Sequence, residues 1–92
     1  MAMNMNIEIK KITKDEMARK KICSWPIWSC GVSTFNWEYD ERESCYLLSG
    51  EVEVSSEFET VALSGGDFVV FPKGLKCCWK VLQPVKKHYI FG

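Results

Sequence analysis

The sequence predicts an all-β sandwich or barrel with a single short helix near its N-terminus. Three observations lead there. From residue 32 onward, short runs of strand-forming residues are punctuated by glycine, proline and polar turn residues. Residues 51–54, Glu-Val-Glu-Val, alternate cleanly, so one face of that strand is wet and the other packed. Finally, a chain of 92 residues can support one hydrophobic core and not two, which makes 1–92 a single domain.

Taken in order, residues 6–12 place Ile7 and Ile9 at alternate positions before Lys10-Lys11 and read as a short edge strand. Thr13 followed by Glu16 forms a capping box, in which hydroxyl and carboxylate satisfy the unpaired amides of a helix start. A helix is expected over 14–21. Trp25-Pro26-Ile27-Trp28 cannot continue it, because proline lacks the amide hydrogen and disfavours a helical residue before it. That segment is expected to run extended, with its tryptophans packed over the barrel. Seven further strands are expected at 32–39, 43–49, 51–55, 58–63, 67–71, 75–82 and 85–91, with Gly50 and Pro84 among the residues that separate them. Residues 67–71, Asp-Phe-Val-Val-Phe, do not alternate and should be buried on both faces. Either the Trp25 segment or a second subunit would cover the outer face, and the latter motivates the expectation of a homodimer.

Composition narrows the function classes. Hydrophobic residues make up 47% of the chain and charged residues 26%, the balance of an ordered globular protein. Twelve basic and twelve acidic residues cancel, so no field draws the chain to nucleic acid or to an anionic membrane. Residues 38–59 are acidic, whereas Lys73, Lys76, Lys80, Lys86 and Lys87 have no acid among them; both blocks are expected to be solvated faces. Five cysteines, two of them adjacent at Cys77-Cys78, argue against a disulfide framework and for a reducing compartment. With no leader pattern in residues 1–6 and no apolar run long enough to span a bilayer, a cytoplasmic location is expected.

Two ordered frames of glycine, proline and aromatic residues carry the remaining information. The first runs Gly31, Trp37-Glu38-Tyr39, Glu43, Gly50; the second runs Gly66, Pro72-Lys73-Gly74, Cys77. Together with Trp25-Pro26-Ile27-Trp28, Phe35-Asn36-Trp37, Glu43-Ser44-Cys45-Tyr46 and Trp79-Lys80-Val81, they resemble the small single-domain cupins related to the cupin domain of (S)-ureidoglycine aminohydrolase. The resemblance implies an RmlC-like double-stranded β-helix, a jelly-roll barrel. It also implies that Trp37, Tyr39 and Cys77 stand where histidines, with a glutamate at the Glu43 position, clamp a divalent metal. Only Glu43 is kept, so neither metal nor cofactor is expected. Glu43, Cys45, Cys77 and His88 are the donors left from which a zinc site could be drawn. The metal-dependent aminohydrolase reaction is not implied.

Strand parity then groups the candidates, since residues of one parity share a face. Phe35 joins Trp37 and Tyr39; Glu43 joins Cys45 and Leu47; Cys77 joins Trp79 and Val81. The barrel mouth is expected to collect Trp37, Tyr39, Glu43, Cys45, Cys77 and Trp79 as ligand-binding residues. Glu43, partly desolvated by aromatic neighbours, is the candidate proton carrier, with Tyr39 and Cys77 as assisting catalytic candidates. The plainer roles are a carboxylate that accepts hydrogen bonds to hold its strand, a thiol that serves as a small buried apolar group, and a His88 at the surface or an edge. Three function classes follow: a metal-free module binding a small polar or planar molecule, a metal-independent acid–base enzyme such as an isomerase, epimerase or lyase, and a dimeric scaffold or interaction protein.

Overall fold

The computed structural model describes residues 5–92. Residues 1–4, part of the stretch read above for a leader, lie outside it. The elements run β1 (Glu8–Lys10), α1 (Lys14–Lys20), a 3-10 turn (Ile22–Ser24), β2 (Ile27–Cys30), β3 (Ser33–Glu38), β4 (Glu43–Ser56), β5 (Thr60–Ser64), β6 (Phe68–Phe71) and β7 (Lys76–Phe91). The all-β class with one short helix is thus observed. The capping box is present in full, with Glu16 N donating to Thr13 Oγ1 and Thr13 N donating to Glu16 Oε1.

Seven strands replace the expected eight, because two expected turns are bends within continuous strands. β4 runs through Gly50 and β7 runs through Pro84. These two long strands pair antiparallel along most of their length, with register shifts between Leu47 and Val52. The irregularity reverses the parity of β4. Glu43, Cys45 and Leu47 are buried before it, and Val52 and Val54 after it, as an added residue in a bulged strand requires. Proline has no amide to give to a ladder and is tolerated where the ladder is already interrupted. Conversely, β2 is a strand where only an extended segment was foreseen; it pairs with β7 from Ile27↔His88 to Cys30↔Val85.

The bend folds the β4–β7 pair into two layers. In one, the first half of β4 pairs with β6, which carries β1 at the edge, and the second half of β7 pairs with β2. In the other, the second half of β4 pairs with β5 and the first half of β7 with β3. The core between them draws Cys45, Leu47, Val69, Phe71 and Val85 from the first layer and Val52, Val54, Leu63, Trp79 and Val81 from the second. β6 is buried on both faces, as expected. Its outward Phe68 and Val70 pack with Ile22, Ile12, Met17 and Trp25 of the same chain, so that burial needs no second subunit. No helix among the described residues is long and apolar enough to cross a membrane.

Gly50 has φ +102°, and a Cβ built there would stand 2.4 Å from the Pro84 carbonyl oxygen and 2.6 Å from Val85 Cα. Both the backbone sign and the space exclude a side chain. Gly50→Ala is expected to destabilise the fold by roughly 2 kcal/mol or more, read as a lowered midpoint in urea unfolding followed by tryptophan fluorescence.

Candidate functional site

β7 is the spine of the site. Its inward parity is the same on both sides of the bend: Cys77, Trp79 and Val81 before it and Val85 and Lys87 after it are buried, while Gln83 at the bend is exposed. Trp79 and Lys87 therefore project from one strand, on either side of Pro84, into the same cavity of about 430 Å³. β3 adds Phe35 and Trp37, the residues just beyond it add Tyr39, β4 begins with Glu43, and β2 supplies Trp28. The walls are aromatic. Phe35 stacks on Trp79 with centroids 6.1 Å apart, Trp28 meets Trp79 edge-on at 5.9 Å, and Tyr39 stacks on Phe71 at 4.7 Å. Such pairs add roughly 0.5–1.5 kcal/mol each beyond the area they bury. Trp37 and Phe91 are 48% and 45% exposed and form part of the rim.

The polar element of this cavity is an ion pair. Lys87 Nζ donates to Glu43 Oε2 at 2.6 Å, and both side chains are almost fully buried. The same ammonium lies 4.7 Å from the Trp79 ring centroid, 5.2 Å from Trp28 and 5.9 Å from Phe71, within cation–π range of all three. Lys87 is not part of a solvated basic face, which corrects the expectation drawn from its block of lysines. The missed signal was parity: residue 87 shares the inward set of residues 77, 79 and 81, and Pro84 does not reset it.

The expected site residues divide. Trp37, Tyr39, Glu43 and Trp79 line the cavity together. Cys45 and Cys77 are not in its lining, which corrects their grouping with the other four. Cys45 is wholly enclosed in the core, and Cys77 lies in a neighbouring, more open groove beside Ser55, Glu57 and Lys76. Burial pushes the Cys77 thiol up to about 11, with nearby Cys78 adding to the effect, and pushes Cys45 up to about 12. Neither is a thiolate near neutral pH, so Cys77 has no activated nucleophile there. Burial, then the charge on Glu43, holds the Tyr39 phenol protonated well above its usual range. Its oxygen accepts from Trp79 Nε1 at 3.2 Å. His88, expected at the surface or an edge, is buried on the opposite face of β7. Its Nδ1 lies 3.0 Å from the Trp25 carbonyl oxygen, which can only accept, so that nitrogen carries a proton.

These positions do not fit a divalent cation. The indole of Trp37 offers no lone pair, the Tyr39 oxygen accepts from Trp79 Nε1, Cys77 lies in the neighbouring groove, and Glu43 is engaged by the Lys87 ammonium. His88 faces away from all of them. Among the described residues no group of three or more histidine, cysteine, aspartate or glutamate side chains is arranged to hold a metal.

Comparison with known proteins agrees with this architecture. The family model described as the EutQ-like cupin domain matches residues 17–89. A DUF861 family protein of Thermotoga maritima is 45% identical, with a TM-score of 0.93 over 95% of this chain and 100% of that one. A putative ethanolamine utilization protein Q of Salmonella typhimurium is 20% identical, with a TM-score of 0.66 over 92% of this chain and 68% of that one. The EutQ protein of Clostridium difficile is also 20% identical, with a TM-score of 0.64 over 90% and 64%. The last two are evidence of shared fold alone. No curated protein matches the chain.

Removing one partner of the ion pair leaves the other charged and buried. Lys87→Met and Glu43→Gln are each expected to cost about 3–5 kcal/mol, and the double variant less than the sum of the two, as measured by urea unfolding. Alkaline pH should also weaken the fold. In the unfolded chain Cys45 and Cys77 lose their protons near 9.0, whereas the folded chain keeps them until about 12 and about 11. Above pH 9 the unfolded state binds fewer protons, so stability falls as pH rises through that window. Unfolding midpoints at pH 8 and pH 11 should show this fall, with a shallower slope in Cys45→Ala.

Proposed function

The chain belongs to the EutQ-like cupin domain family, and on that premise we propose that it is a metal-free cupin that binds a small planar molecule with a polar edge. The observation that carries this reading is the cavity itself: aromatic walls around one buried ion pair, open at a rim of half-exposed Trp37 and Phe91. Its volume of about 430 Å³ falls in the range of small-molecule sites, which are mostly apolar with a few placed polar groups. Trp28, Phe35 and Trp79 offer faces and edges for stacking. Lys87 and Glu43 offer a donor and an acceptor side by side. Because the two charges cancel, an ion entering alone would lose its hydration without meeting a net opposite charge. A neutral ligand with one acceptor and one donor is the better match.

A second reading, a metal-independent acid–base enzyme, is favoured by one specific observation. Glu43 and Lys87, two groups able to carry protons, line the same cavity in direct hydrogen bond, the mutual reach that such chemistry requires. The likeness to the ureidoglycine aminohydrolase cupin supports the scaffold and not that reaction, since the matching metal-ligand positions carry indole, phenol and thiol.

Screening small planar neutral molecules by thermal shift and tryptophan quenching tests the proposal. A ligand present at a hundredfold excess over its Kd should stabilise the fold by about 2.7 kcal/mol. Trp37→Ala should weaken that binding while altering the free protein's stability little, because the residue is 48% exposed. A screen in which no compound shifts the transition or quenches the fluorescence counts against the reading.

A further inference from the structure

We propose that Lys87 is an amine nucleophile that captures a small aldehyde or ketone in this cavity as an imine, with Glu43 as the proton carrier. The inference rests on the cavity being a ligand site and adds the class of ligand and the bond it forms. Lys87 stands apart from the nine other lysines, all of which are exposed. It is buried, it lines the cavity, and among the described residues its one polar side-chain partner is a carboxylate oxygen 2.6 Å away. A buried pair of this kind serves folding poorly for its cost, since desolvation of two ions offsets their attraction. It serves carbonyl chemistry well.

The steps balance without any co-reactant. One ammonium proton moves along the existing hydrogen bond to Glu43, giving a neutral amine and a carboxylic acid with no change in net charge. The Nζ lone pair adds to the carbonyl carbon while the carbon–oxygen π pair moves to oxygen, which takes the proton from Glu43. The resulting nitrogen cation returns a proton to Glu43. That proton then goes to the hydroxyl, which departs as water as the carbon–nitrogen double bond forms. The product is an iminium beside the Glu43 carboxylate. It inherits the surroundings of the ammonium: one negative charge and the rings of Trp28, Phe71 and Trp79, which favour a cation in either form. The aromatic walls also select a planar carbonyl compound over a flexible polar one.

Benzaldehyde with sodium cyanoborohydride at neutral pH, followed by peptide mass mapping of the intact chain's digest, tests this directly on the wild-type protein. Lys87 is expected to be benzylated at least tenfold faster than the mean of the exposed lysines, a modest share of what positioning supplies. Glu43→Gln, checked for folding by circular dichroism, should lower the Lys87 rate by about a hundredfold, the lower end for a positioned acid–base group. Benzyl alcohol, of similar shape but without the carbonyl, separates the two readings. If benzyl alcohol binds and protects Lys87 from labelling, the inference is supported. If benzyl alcohol and benzaldehyde both shift the thermal transition while labelling spreads over exposed lysines and spares Lys87, the imine is overturned and the binding reading stands. If neither compound binds and Lys87 is not labelled, the imine is overturned, and the binding reading falls only if the wider screen of planar molecules is also empty. Equal labelling of Lys87 in wild type and a folded Glu43→Gln variant removes Glu43 from the proposal.

Discussion

The bend shared by β4 and β7 is the constraint on which the rest of the molecule depends. Two long antiparallel strands would otherwise form a flat ribbon with a single apolar face. Register shifts between Leu47 and Val52, a side-chain-free contact at Gly50 and an amide-free residue at Pro84 let the ribbon fold over itself. The halves then bury their inner faces against each other. The parity change in β4 keeps that burial intact, because without it one half would turn its valines to water.

The same bend builds the cavity. It carries Trp79, on the first half of β7, and Lys87, on the second half, to one void, and it sets Glu43 at the start of β4 against Lys87. In the cupin pattern a divalent cation would stand beside this glutamate. Here a side-chain ammonium meets it, and indole, phenol and thiol occupy the neighbouring positions, a mutually consistent set. A covalently tethered charge of one unit requires no further ligands, whereas a cation of two units demands donors that these residues lack.

Much of this was legible in the residues. The turn punctuation gave the fold class, Thr13 and Glu16 gave the helix start, and residues 67–71 announced their two-sided burial. Tyr39 was legible as an inward residue, as was Trp79. The failures share a cause. Gly50 and Pro84 are turn residues by local chemistry, but local chemistry does not distinguish a reversal of the chain from a kink inside a ladder; long-range pairing decides that. Treating Pro84 as a break cut Lys87 away from the inward set that included Trp79. Cys45 and Cys77 were grouped with the cavity because parity tells which face a residue is on, yet not how far along that face the void extends. His88 lay beyond reach for a related reason: its burial depends on the 3-10 turn and Trp25 folding over the outside of the sheet.

Lys87 and His88 are consecutive, yet they belong to opposite sides of the wall. One ends in the cavity, the other in a clasp to the Trp25 carbonyl, while the Tyr89 amide donates to the Pro26 carbonyl at 3.0 Å. A single peptide unit therefore joins the molecule's inner surface to its outer fastening. The backbone that sets the ammonium against Glu43 is thus the same backbone that fastens Trp25 and Pro26 to the outside of the sheet, and a slip of register there would misplace both at once.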